Sequence, residues 1–546
     1  MSGGIVYRYT YDTLGRLIGS TMKSGSTVAL QTQHKYDDSN RLSKQVWALP
    51  GKTYQEGYEY DADNGRLTKK RITLPTNETA NITLGYDNLS RVSSMTTPAA
   101  TTHYAYAGAF YGGGTTCNVS ELTTTSVHTG SGVFAPLHLR YTYDAMGNIL
   151  TENRLNPDGS TAESLTYTYD NQFQLTGAVS SVNGAWNYRY DTYGNLRGKD
   201  HGSDSVSYTY GDANWLDLLT AVSGTKNGTS FSGSYTYDGA GNPTSYYSIG
   251  DLSAWSMTWK NGRELATASN GTHSVSYDYD VNGLRTYKIV DGVRHDYVYA
   301  SGQLLRESFT LDGHSYVYDF LYDQSGRPYM LNYISNGYSS RYYYVLNLQG
   351  DVMALVTSEG VEVAKYTYDA WGNVTPDTTL WLSNRNPLRY RGYYYDTETG
   401  FYYLQSRYYD PALGRFINAD SYASTGQGFL GYNMFAYCGN NPVNALDYSG
   451  HMMVGFGIGT SELYGGGPLS YGSCAMAMPY SSVSSTGSYG SHITMVPMAS
   501  TGYSALAKTV AVVGTAALVA SSIAPAAYTN KKKKTKKLRV TGRLNA

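Results

Sequence analysis

Cysteine is scarce in this 546-residue chain: Cys117, Cys438 and Cys474 lie far apart, and no CxxC occurs. That spacing supports neither a zinc site nor a disulfide framework, and no metal or other cofactor is expected. Charge is also thin. Charged residues make up 15% of the sequence and the formal net charge is −1, which argues against a nucleic-acid partner held by global charge. Phenylalanine and tryptophan are few, at 11 and 7 residues. The opening residues, MSGGIVYRYT, hold neither a basic cluster nor the apolar run of a secretion signal. They run almost directly into a repeat, so the chain reads as the C-terminal portion of a longer parent or as the product of a truncated gene.

What the chain has instead is tyrosine, 58 residues, together with 60 glycines. A buried tyrosine hydroxyl needs a partner, so this aromatic content fits half-wet strands joined by many turns better than an ordinary apolar core. The tyrosines fall into a pattern, written most plainly at 141–150 as YTYDAMGNIL. Tyr141 and Tyr143, two apart, share one face of a strand and are expected to stack against the next repeat. Asp144 offers an acceptor to the turn backbone, Gly147 can take a positive φ, and Ile149 begins the return strand. The same wording recurs at Tyr9, Tyr11, Asp12 and Gly15, at Tyr58, Tyr60, Asp61 and Gly65, at Tyr188, Tyr190, Asp191 and Gly194, and at Tyr235, Tyr237, Asp238 and Gly241. It returns at Tyr277, Tyr279, Asp280 and Gly283 and at Tyr366, Tyr368, Asp369 and Gly372. Copies lie roughly 20–26 residues apart, the spacing of array repeats, in which one unit buries its face only against its neighbours. The turn glycines Gly15, Gly147, Gly194, Gly241 and Gly372, like the tyrosines and aspartates around them, read as architecture.

This wording resembles the YD or RHS (rearrangement hot spot) repeat of bacterial RHS proteins, insecticidal toxin-complex C subunits and the teneurin shell. The resemblance implies an all-β protein. In it, antiparallel hairpins wind in a spiral array into a hollow shell, which a chain of this length closes only in part. The array is expected over residues 1–383.

From Asn384 to Tyr422 and from Gly431 to His451 the text changes, to NRNPLRYRGYYYDTETGFYYLQSRYYDPALGRFINADSY and GYNMFAYCGNNPVNALDYSGH. It resembles the RHS repeat-associated core, placed here at 384–451. In the family this core separates a constant scaffold from an unrelated C-terminal effector, often a toxin. In several members it also cuts itself there with aspartates. Carried over by motif, the aspartates are Asp420, after GRFINA, and Asp447, in DYSGH, and the cut falls at Gly450–His451. Asp410, in RYYDP, is a third nearby carboxylate. Two close carboxylates suit the task because one can act as base and the other as acid. The chain departs from the pattern at Ser421 and Tyr448, where the family has proline, and at His451, where it has an apolar residue. The other reading makes all three aspartates turn and cap residues.

The tail divides into a Gly-, Ser- and Met-rich segment, 452–507, of low complexity, and a segment 508–546 that joins an apolar run to a Lys-rich end. The run 509–528 is long enough to cross a bilayer and is followed by KKKKTKKLR, so membrane contact is one expectation and a buried helix with a solvated basic end is the other. Cys474 with His492, and likewise Glu462, lack any activating context, and no effector enzyme is recognisable. Three functions stay open. One is a scaffold that encloses its own C-terminal segment for toxin delivery, secreted or at the cell surface, with a cognate immunity protein as partner. The second is a cell-surface repeat protein binding carbohydrate or other chains. The third is an inactive fragment of an RHS locus.

Overall fold

Alternation of apolar and polar residues is what makes these segments strands. In Leu137–Tyr143, Leu139 and Tyr141 are buried, Tyr143 is half-buried, and Arg140 and Thr142 are exposed. A computed structural model describes residues 5–108, 115–130, 133–300, 302–424 and 429–455. All belong to the first of two units, Met1–Val483. The expectations placed on 456–546, including the apolar run 509–528, Glu462, Cys474 and His492, lie outside the described residues.

Among the described residues, nineteen strands from Ile5–Tyr11 to Thr229–Ser234 form one sheet and fourteen from Thr236–Tyr237 to Val374–Pro376 form a second. Strands pair antiparallel with their neighbours in sequence, as in Leu137–Tyr143 with Ile149–Leu155 and then Thr161–Tyr169. The protein is therefore all-β and built from hairpins laid side by side.

The turns repeat one set of bonds. The Asp144 carboxylate accepts the Met146 and Asn148 backbone N–H groups at 2.9 and 2.8 Å, and Asn148 Nδ2 donates to its second oxygen at 2.8 Å. Gly147, at φ 86°, donates to the Asp144 carbonyl at 3.1 Å. An extra residue slips into the register at Thr142/Tyr143, so the turn is a bulged hairpin loop. Where arginine replaces the asparagine, Arg16 Nε donates to Asp12 at 2.6 Å and the guanidinium lies 4.6 Å from the centre of the Tyr36 ring.

The two tyrosines divide their work. The first points into the core: Tyr141, Tyr188 and Tyr208 are buried, and the Tyr208 hydroxyl donates to the Leu413 carbonyl at 3.1 Å. The hydroxyl of the second stitches hairpins together. Tyr169 donates to Ile149 O at 2.7 Å, Tyr190 to Leu175 O at 2.7 Å and Tyr210 to Leu196 O at 3.0 Å. These bonds run back to the preceding hairpin.

After the second sheet come four short strands from Tyr394–Asp396 to Arg415–Phe416 and a pair, Ala445–Leu446 with Val454–Gly455. Their aromatic residues Tyr402, Tyr409 and Phe416, with Tyr437 from the segment between, share one core with Tyr141, Tyr167, Tyr188 and Tyr208 of the first sheet and Tyr277 and Tyr297 of the second. A second core sets Trp47, Tyr54, Ile72 and Ile82 against Tyr329, Met330 and Tyr343. A buried charge cluster ties the second sheet to the short strands. Arg285 Nη1 lies 2.6 Å from Asp396, and Lys288 Nζ lies 2.9 Å from Asp396 and 2.8 Å from Glu398. Cys438 is a buried free thiol, whereas Cys117 is disulfide-bonded. The expectation of no disulfide framework does not extend to Cys117, because spacing along the chain does not say which cysteines meet.

Candidate cleavage site

Asparagine amides seat the boundary segment on the repeat turns. Asn440 Nδ2 donates to Gly194 O at 2.7 Å, Asn444 Oδ1 accepts Ile149 N–H at 2.8 Å, and Asn444 Nδ2 reaches the Tyr169 hydroxyl at 2.9 Å. Asn433 Nδ2 donates to Asn195 Oδ1 at 2.9 Å. With those anchors in place, Asp447 opens a turn of the kind found in the repeats. Its Oδ1 accepts the N–H groups of Ser449, Gly450 and His451 at 3.2, 2.8 and 3.1 Å. Gly450 sits at φ 74° with its α-carbon against the chain, and a Cβ there would fall 2.6 Å from Leu404 O.

Asp420 reaches the same place from the other side. Its backbone N–H donates to Met434 O at 3.0 Å, and its Oδ1 accepts Tyr422 N–H at 3.0 Å. Between the two carboxylates lies Arg407, buried like them. Arg407 Nη2 is 3.0 Å from Asp420 Oδ2 and 3.4 Å from Asp447 Oδ2, so those oxygens are at most about 6.4 Å apart, the sum of the two distances. Nη1 donates to Met434 O at 3.0 Å and Nε donates to the carbonyl of Gly450. The guanidinium packs 3.5 Å from the centre of the Phe416 ring. His451 Nδ1 completes the group 3.1 Å from Asp420 Oδ1.

The two carboxyls are driven in opposite directions. Burial pushes Asp447 above the ordinary carboxylate value, outweighing Arg407 and the turn N–H groups. Burial acts on Asp420 in the same sense, but there the His451 hydrogen bond and the Arg407 charge win and hold it low. Divergence of this kind separates an acid from a base. A cavity of about 30 Å³, room for one water, is lined by Arg407, Asp420, Asp447, Cys438 and His451 among others.

The structure thus brings together Asp420, Asp447, Gly450 and His451 and leaves Asp410 out. Asp410 accepts the Tyr246 hydroxyl at 2.6 Å and the Ala412 and Leu413 N–H groups at 2.7 and 3.2 Å, as a turn residue does. The turn glycines stand at φ 78° (Gly15), 86° (Gly147), 75° (Gly194), 79° (Gly241) and 87° (Gly372), remote in sequence from the boundary. Arg407 and the asparagines are what sequence reasoning missed. A signal existed for each: an arginine inside the aromatic run YYLQSRYYD, and the dense asparagines of GNNPVNAL. Among the described residues no group of three or more His, Cys, Asp and Glu is placed to hold a metal ion.

The family described as teneurin YD-shell matches residues 119–443, more than half of the chain. The tRNA3(Ser)-specific nuclease WapA of Bacillus spizizenii is 35% identical over 272 residues, 48% of this chain and 11% of that protein. The chain spans about a tenth of the length of the first curated relatives it matches. The crystal structure of TcdB2-TccC3-Cdc42 superposes with a TM-score of 0.60 at 18% identity, covering 82% of this chain and 24% of that one. The Photorhabdus luminescens Tc holotoxin pore does so with a TM-score of 0.60 at 17% identity, over 83% of this chain and 23% of that one. These two likenesses show the fold.

Proposed function

The chain belongs to the teneurin YD-shell family, and on that premise we propose that it is a shell scaffold that encloses its own C-terminal segment and cuts that segment free at Gly450–His451. The observation that carries the reading is the placement of Arg407, Asp420 and Asp447 around one peptide bond. Arg407 Nε holds the Gly450 carbonyl oxygen, where negative charge gathers when water adds. Asp420, kept ionised, takes the proton of that water as general base. Asp447, biased toward its protonated form, is bonded to the His451 nitrogen and gives the proton that lets the amine leave. The carbonyl carbon gains the water oxygen, the C–N bond breaks, and the products are a carboxyl at Gly450 and an amine at His451.

The nuclease named among the relatives supports a passenger role for the residues beyond the cut. A cognate immunity protein as their partner and a secreted or cell-surface setting belong to the same proposal. Mass spectrometry of the purified, folded full chain tests the reading. Two fragments are expected, the second beginning at His451. Asp420→Asn, which can neither bear the charge nor accept the proton, leaves one intact chain. Asp410→Asn, which lies outside the group, still yields two. An intact wild-type chain overturns the proposal.

A further inference from the structure

His451 is one of the three residues that depart from the family pattern, and in the folded chain it is not idle. Its ring touches Asp420, the carboxylate that must accept a proton in the cleavage proposed above, and this inference rests on that proposal. Nδ1 lies 3.1 Å from Asp420 Oδ1, and the ring meets the Tyr422 ring edge-on with centroids 5.1 Å apart. An ionised carboxylate only accepts, so Nδ1 carries the hydrogen and points it at Asp420. The side chain is 29% exposed while that of Asp420 is 2% exposed, so solvent protons reach the ring more readily than the carboxylate.

Every charged or titratable neighbour bears on the same point. Arg407 already places one cation 3.0 Å from Asp420. Asp447 and Cys438 line the cavity that His451 shares, and burial pushes the Cys438 thiol up, leaving it uncharged. Arg263 donates to the Ala419 carbonyl at 2.7 Å, adding positive charge behind Asp420. A protonated imidazole would be a second cation in direct contact with Asp420. A carboxylate held between two cations is too weak a base to draw a proton from water. With the ring uncharged, the Nδ1–H bond still orients the carboxylate and leaves it one cation to answer to.

We propose that His451 positions Asp420 and gates the cutting of its own peptide bond, which proceeds when the imidazole is neutral and is held back when the imidazole is charged. The scissile residue is then its own pH sensor, and it departs with the released segment. Imidazoles change charge between roughly pH 5 and 8, which sets the window to examine.

The test uses the full-length chain, isolated uncut in urea by size and refolded into buffers from about pH 5.5 to 7.5. Refolding is followed by far-UV circular dichroism and cutting by mass spectrometry. The comparison is His451→Asn, whose amide keeps a donor for Asp420 but has nothing to protonate. The ratio of wild-type to variant cutting rate should fall by more than about twofold from pH 7.5 to 5.5. Taking the ratio cancels any titration of Asp420 and Asp447 common to both chains. His451→Leu, with no donor, should show the same loss of pH dependence and cut more slowly throughout. A ratio constant within about twofold overturns the gating role while leaving the cleavage reading intact. Absence of cutting by refolded wild type at every pH overturns the cleavage reading, and this inference with it.

Discussion

Gly15 and Gly372 hold the same position in two copies of the repeat, at φ 78° and 87°, each donating its N–H to the carbonyl of the repeat aspartate at 3.1 Å. Replacing each with alanine separates two costs that glycine avoids. Left-handed backbone penalises any L side chain by about 1–2 kcal/mol. At Gly15 that is the whole cost, because an added Cβ meets nothing within 4 Å. At Gly372 the Cβ would fall 2.6 Å from two atoms of the Tyr390 ring. Tyr390 is buried, and its hydroxyl is held by Ala370 O at 3.4 Å and Pro442 O at 3.3 Å, so the ring has nowhere to swing. Overpacking of that kind adds about 1–3 kcal/mol. Gly15→Ala should therefore cost about 1–2 kcal/mol and Gly372→Ala about 2–5 kcal/mol. Urea unfolding gives the difference from the midpoints, provided the slope is unchanged. Native-state hydrogen exchange gives it locally, with protection lost in Ile5–Ser24 for the first variant and around Tyr390 for the second. If Gly372→Ala costs no more than Gly15→Ala, the packing of the repeat turns against the post-repeat core is misread.

The buried cluster of Arg285, Lys288, Asp396 and Glu398 balances two cations against two carboxylates. Asp396→Asn leaves the cations in excess and should destabilise the chain by about 3–5 kcal/mol in urea unfolding; a loss below about 1 kcal/mol would refute the assignment. Burial alone would raise Asp396, but Arg285 and Lys288 hold it below the usual carboxylate value. Its contribution is thus present above about pH 4 and lost as pH falls through the depressed value, an acid limb that Asp396→Asn should lack. Glu152 behaves oppositely: burial raises it from 4.5 to about 6, against the pull of Arg154 and Gln349. Stability from its neutral form is full below pH 4.5 and lost as pH rises through about 6, a fall of about 2 kcal/mol that Glu152→Gln should abolish. A wild-type stability curve flat across that window would refute it.

The sequence by itself determined whatever depends on neighbours along the chain. Tyr-x-Tyr-Asp-x-x-Gly-Asn specifies strand, bulged turn and strand, because the aspartate bonds residues two and four further on and the glycine takes the φ the bulge requires. Repetition of that unit was enough to name an all-β array of antiparallel hairpins. Reading the repeat could not tell that Tyr190 bonds backward to Leu175, since that bond depends on how neighbouring hairpins are laid side by side. Nor could motif spacing show that Arg407, thirteen residues before Asp420 and forty before Asp447 by number, would sit between them. Asp410 is nearer to Asp420 in sequence, yet it bonds Tyr246 on another strand. Local turn chemistry needs only a few bonds of the backbone, whereas a buried arginine finds its carboxylates only when packed sheets exclude water and leave no other partner for its charge. That exclusion is a property of the tertiary structure, and it decided that Arg407 stands between the two aspartates the motif had named while Asp410 stays apart.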